Sequence, residues 1–225
     1  MSGSFVTPEF RDRIRGLATP IATGFGRLGL TPNGLSVIGF AGTCVAAVAA
    51  ATQAWLLAGV LVIAFGIFDL FDGALARATG RASKFGAFLD STLDRTGESL
   101  VYAGVAVGCA GAGFGAGVLL AALAATFASG VTYTRAKAES LGVHGEVGVA
   151  PRPERLVILA IGLALAGLMG GVGIGEFVPG GGLTSRFDRG GSAYLALALG
   201  LITILSAITV LQRIVHVRTQ LDNEQ

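Results

Sequence analysis

Apolar residues dominate long stretches of this chain, and the stretches recur at a spacing that suits a membrane bundle. A helix crossing the hydrocarbon core needs about 20 apolar residues. Six runs are candidates: Leu35 to Thr52, Ala54 to Phe71, Phe85 to Gly111, Gly115 to Tyr133, Leu156 to Val172 and Ser192 to Val210. The second, third, fourth and sixth are expected to continue as helix beyond the membrane. Ahead of them, residues 8–28 interleave Arg11, Arg13, Arg15 and Arg27 with Phe10, Ile14, Leu17, Ile21 and Phe25. That pattern predicts an interfacial helix with one apolar and one cationic face. Thr31-Pro32-Asn33-Gly34 then breaks the chain and starts the first span. The expected architecture is all-α: a six-transmembrane-helix bundle over residues 31–219, preceded by an N-terminal interfacial amphipathic helix, all in one domain covering residues 1–225.

Composition supports lipid as the solvent. Only 13% of the 225 residues are charged, against about 25% in a soluble domain, and the mean hydropathy is +0.72. The 36 glycines show no three-residue period, which excludes collagen, and they suit helices that pack backbone to backbone. The first run is long, has no small-residue cleavage site, and is read as a retained helix. Cys44 and Cys109 lie in separate apolar runs and read as small buried hydrophobes.

A net charge of +2 says little, but the placement of charge says more. Basic residues precede the first span. They also fill the second link (Arg77, Arg81, Lys84), the fourth (Arg135, Lys137, Arg152, Arg155) and the end of the sixth span (Arg213, Arg218). The links near Ala51–Gln53 and Gly111–Gly115 carry no charge. The positive-inside rule then places both termini and the charged links in the cytoplasm. The remaining link, Gly173 to Gly191, is Gly-rich, is expected to be irregular, and is assigned no chemistry.

Candidate chemistry sits between Phe68 and Arg95, in FDLFDGALARATGRASKFGAFLDSTLDR. Asp69 and Asp72 are three apart and Asp90 and Asp94 four apart, so each pair shares a helix face. The connection between the two helices is short, which predicts antiparallel neighbours with four converging carboxylates. Ionisable groups within membrane helices are expensive and usually functional. Carboxylates at this density repel unless cations lie among them, and hard oxygen donors suit Mg²⁺ or Mn²⁺. Two such ions could clamp a diphosphate. Gly73 would let a substrate lie against the backbone, Gly86 would leave room on the facing helix, and Arg77 could reach a phosphate. From spacing alone two other readings stand: aspartates paired with Arg77, Arg81, Lys84 and Arg95 at the membrane surface, or an ion or proton transporter.

The spacing D-x2-D-G-x2-A-R-x8-G-x3-D-x3-D is met at Asp69, Asp72, Gly73, Ala76, Arg77, Gly86, Asp90 and Asp94. It resembles the signature of the CDP-alcohol phosphotransferases, and the six-span layout resembles that family over nearly the whole chain. The resemblance implies an enzyme with Asp69, Asp72, Asp90 and Asp94 as metal ligands and Asp94 also as general base. It further implies Gly73 and Arg77 on the CDP-lipid, and a homodimer in the cell membrane.

A second cluster bears on the acceptor. Arg135, Arg155 and Arg213 close or open three helices on the charged side. Membrane anchoring explains most such cations, Lys137, Arg152 and Arg218 among them. The sharper reading of Arg135, Arg155 and Arg213 is a pocket for a phosphate on the acceptor. The stretches Arg135-Ala136-Lys137-Ala138-Glu139 and Pro153-Glu154-Arg155-Leu156 are similar to those of one branch of the family, the actinobacterial phosphatidylinositol phosphate synthases. The first has Arg and Lys in reversed order, and the link before the last span is longer. That likeness implies transfer of a phosphatidyl group from CDP-diacylglycerol to inositol phosphate. Glycerol 3-phosphate, the acceptor of phosphatidylglycerophosphate synthases, is the alternative that uses the same core. No feature points to nucleic acid.

Overall fold

The structure, a computed structural model, describes residues 19–173 and 190–222. All regular structure among them is helical: α1 over residues 19–27, α2 (Pro32–Ala51), α3 (Trp55–Ala78), α4 (Lys84–Gly111), α5 (Gly115–Ser140), α6 (Arg152–Leu168) and α7 (Gly191–Asp222). Arg11, Arg13, Arg15 and most of the Gly173–Gly191 link lie outside the described residues, and so does the first half of the expected interfacial helix.

Local chemistry accounts for the starts and stops. Thr31 caps α2, its hydroxyl accepting from the Gly34 N–H at 3.1 Å, with Pro32 at the first helical position. Ser83 caps α4 in the same way through the Gly86 N–H at 3.0 Å. As expected, α3, α5 and α7 run on past their apolar runs. The expected fifth span is corrected: α6 starts earlier, at Arg152, and ends at Leu168 rather than Val172. Gly170 and Gly171, at φ of 90° and 84°, reverse the chain there.

Helix contacts close a ring in the order α2, α3, α6, α7, α5, α4 and back to α2. One expectation fails here. The short link does not make α3 and α4 a packed pair; among the described residues both pack on α2, leaving a cleft between them. Small residues set the close approach of α4 to α2. A Cβ on Gly104 would stand 2.2 Å from the Ala47 carbonyl oxygen, and one on Gly108 2.2 Å from that of Ala50. The α1 segment rests on α2 and α3 through Ala22, with Phe25 5.7 Å from Phe68 and 5.8 Å from Phe71 between ring centroids. Ile21, read as part of its apolar face, points away and is exposed.

Among the described residues four helices, α2, α3, α5 and α7, are long and apolar enough to cross a membrane. The first half of α4 is too charged for that description, and α6 has only 17 residues. Large apolar side chains such as Val48, Val60, Ile67, Leu119, Leu197 and Ile204 face outward, as in a protein whose surroundings are lipid. The chain is an integral membrane protein. Cys109 is buried as expected, and Cys44 is partly exposed.

Candidate active site

The ends of α3, α5 and α7 meet the starts of α4 and α6 at one end of the ring, which gathers the charged residues. In the cleft between α3 and α4 lies an open pocket of about 210 Å³. Asp72, Gly73, Ala76, Arg77, Gly86 and Asp90 of the signature line it, together with Pro32, Asn33, Ser36 and Arg81. The Arg77 guanidinium folds back over Gly73, where a Cβ would stand 3.3 Å from Nη1. A Cβ on Gly86 would stand 3.1 Å from Asn33 Oδ1, so this glycine makes room against the start of α2. Ser36 donates to Asp72 Oδ2 at 2.6 Å, and the Gly73 N–H donates to Asp72 Oδ1. Sequence reasoning missed Ser36 and Asn33, because both reach the site across α2 and neither belongs to the acidic spacing.

All four aspartates converge, as two close pairs. Asp72 meets Asp90, and Asp69 meets Asp94. Three of the basic residues considered as partners from spacing, Arg81, Lys84 and Arg95, form no ion pair with them among the described residues, and neither does Arg77. The counter-charge is Arg152 from α6: its Nη1 lies 2.8 Å from Asp69 Oδ2 and also bonds Asp94 Oδ2. By sequence Arg152 reads as a membrane anchor; the structure puts it inside the acidic site.

The donor set fits a hard divalent cation. Four carboxylates face one another with a single arginine between two of them, and that one charge is all that meets Asp69 and Asp94 among the described residues. The carboxylates do not already form a closed cage of three or more ligands among the described residues. They stand as two pairs, each made of one aspartate from α3 and one from α4.

The arginine cluster differs. Arg135, Arg155 and Arg213 lie close enough for Arg213 to feel the charge of both others. Two of them are buried and engaged. Arg155 grips Glu98 through two 2.8 Å bonds and donates to the Ala150 carbonyl at 2.9 Å. Arg213 donates to the Val147 carbonyl at 2.8 Å and to that of Val131, tying the α5–α6 connection to α5 and α7. Arg135 is the open one, its side chain 45% exposed and paired with Glu139 at 2.8 Å and Glu146 at 3.3 Å. Glu98 escaped the sequence reading. Its signal was a lone acid one turn beyond Asp94, on the same face of a helix turning apolar.

The sequence profile of CDP-alcohol phosphatidyltransferases matches residues 29–215. The chain is 36% identical to a phosphatidylinositol phosphate synthase of Cutibacterium acnes, covering 93% of this chain and 96% of that one. It is 38% identical to an archaetidylinositol phosphate synthase of Methanothermobacter thermautotrophicus, covering 72% and 78%. The crystal structure of Mycobacterium tuberculosis phosphatidylinositol phosphate synthase with CDP-DAG bound superposes with a TM-score of 0.74 at 28% identity, covering 89% and 92%. The same enzyme in complex with manganese and citrate gives 0.73 at 28% identity, covering 90% and 89%.

Proposed function

Because the chain belongs to the CDP-alcohol phosphatidyltransferase family, we propose that it moves a phosphatidyl group from CDP-diacylglycerol to inositol phosphate, forming phosphatidylinositol phosphate and CMP. The observation that carries this is the cleft between α3 and α4, where signature residues from both helices line one pocket. The names of the relatives and the CDP-DAG bound to the mycobacterial enzyme support the substrate pair.

Asp69, Asp72, Asp90 and Asp94 would hold the divalent metal, Mg²⁺ or Mn²⁺ and two ions by the charge of the site. When bound, such a metal would supply positive charge to offset that of the diphosphate and of the departing CMP. Gly73 gives the CDP moiety close access to the backbone, and Arg77 contacts its phosphate. Asp94 takes the proton from the acceptor hydroxyl. The freed oxygen attacks the β-phosphorus, the bond from that phosphorus to the CMP oxygen breaks, and CMP leaves with the electron pair. Of the three arginines expected to form the acceptor-phosphate pocket, Arg135 would take the phosphate with its exposed guanidinium, while Arg155 and Arg213, committed to Glu98 and to backbone carbonyls, would frame the pocket beside it.

The same reading extends to the whole molecule. Six helices span the cell membrane, the site faces the cytoplasm, and two copies pair as a homodimer.

The test supplies purified protein with radiolabelled CDP-diacylglycerol and Mg²⁺, and follows CMP release with inositol phosphate, glycerol 3-phosphate or free inositol. Inositol phosphate should be the preferred acceptor, and chelation should stop the reaction until Mg²⁺ is restored. Preference for glycerol 3-phosphate, or equal use of free inositol, would overturn the acceptor assignment. Full turnover in EDTA would overturn the metal.

A further inference from the structure

We infer that Arg152 is a resident counter-cation of the aspartate site, one that competes with metal for Asp69 and Asp94 and gives way when metal binds. This rests on reading the aspartates as metal ligands. Three observations carry it. Arg152 Nη1 bridges carboxylates from two helices, Asp69 of α3 and Asp94 of α4. Its Nε is buried and has no hydrogen-bond partner among the described residues. Its side chain remains 28% exposed, which leaves it a way out.

The charge balance explains why such a residue is present. Carboxylates this close repel one another in a low-dielectric setting. A fixed +1 charge relieves part of that repulsion and keeps Asp69 and Asp94 together. A guanidinium built as a permanent strut would have its donors matched by acceptors, as Arg155 has. Arg152 is instead held by charge, through one nitrogen shared between two acids. A divalent cation at the same carboxylates brings twice the charge and repels the guanidinium, so the two compete for Asp69 and Asp94. Arg152 is thus a positioning residue that sets the metal affinity of the site and holds Asp94 beside Asp69 beforehand.

The test measures metal binding without substrate, by the loss of the free Mn²⁺ electron paramagnetic resonance signal as purified protein is titrated. Arg152→Gln should bind Mn²⁺ at least about tenfold more tightly than wild type, because a competing cation is gone. Arg152→Lys, which keeps the charge, should stay near wild type. Asp69→Asn should lose most binding. A second measurement needs no variant. Phenylglyoxal modification of wild-type arginines is mapped by mass spectrometry with and without Mn²⁺. Modification of Arg152 should rise severalfold with metal, while Arg155 stays protected in its pair with Glu98. A folded Arg152→Gln with unchanged or weaker Mn²⁺ affinity overturns the inference. So does Arg152 reactivity that Mn²⁺ leaves unchanged or lowers. Wild-type protein that binds no Mn²⁺ at all overturns the metal reading itself, and is told apart from the other failures in the first titration.

Discussion

Asp94 and Glu98 are one turn apart on α4, and each meets an arginine from the first turn of α6, yet the two ion pairs are built for different purposes. Glu98 and Arg155 are matched. Both carboxylate oxygens receive a 2.8 Å bond, a third donor goes to Ala150, and the side chains are 6% and 1% exposed. Asp94 and Arg152 are mismatched. One nitrogen is shared with Asp69, Nε is unpaired, and the side chains are 21% and 28% exposed. Geometry of the first kind locks α4 to α6. Geometry of the second kind leaves charge to be answered by something else. Proximity to a charged neighbour therefore does not mark a binding residue; unmet capacity does.

The strut side of this comparison should break most severely. Glu98→Ala leaves Arg155 charged, buried and without its carboxylate. Breaking a buried pair on one side costs about 3–5 kcal/mol. Thermal unfolding of the purified protein should fall far below wild type. Asp94→Asn, one turn away, should change the melting temperature little, because its site is half-open and its charge is in excess. Equal melting temperatures for the two variants would erase the distinction.

The open side should break in turnover instead. Asp72→Asn or Asp90→Asn removes charge from the cleft proposed to take the diphosphate, and should lower CMP release by about 10²–10³ or more, the range lost with one strong transition-state contact. Asp94→Asn should lose turnover comparably yet keep appreciable CDP-diacylglycerol binding, since a base is needed for attack and not for docking. CDP-lipid binding that disappeared along with turnover in Asp94→Asn would make that residue a ligand only.

The two sides were unequally legible in the sequence. The all-helical architecture, the break at Pro32 and the convergence of the four aspartates were readable, because membrane runs and carboxylates at three- and four-residue spacing are local patterns. Partnership across helices is not local. That Arg152 and not Arg77, Arg81, Lys84 or Arg95 answers the aspartates depends on α3 packing against α6, which no spacing encodes. The short α3–α4 link suggested direct packing, whereas glycines on α4 draw it onto α2 and open the cleft. Arg155 looked like a free cation for the same reason: its partner lies 57 positions earlier in the chain.

That last point changes how the acceptor pocket should be tested. Arg155→Ala mixes any loss of acceptor binding with the loss of the Glu98 pair, and Arg213→Ala releases the Val131 and Val147 carbonyls. Arg135 is the clean probe. Its partners are two exposed glutamates, and exposed ion pairs contribute only about 0–1 kcal/mol. Arg135→Ala should therefore leave the melting temperature within a few degrees of wild type. A charge-assisted contact to a phosphate is worth about 1.5–3 kcal/mol. Losing it should raise the KM for inositol phosphate about tenfold or more, since each 1.4 kcal/mol is one factor of ten. The KM for CDP-diacylglycerol should hardly move, because the site proposed for that substrate is the α3–α4 cleft and not this helix end. Lys137→Ala, two residues on, removes the same charge from the same helix end and should do less. Membrane anchoring predicts the opposite pattern: equal, small effects for Arg135 and Lys137, with no preference between the two substrates. Steady-state kinetics with each substrate varied in turn separates the two, and equal effects would remove Arg135 from the acceptor pocket.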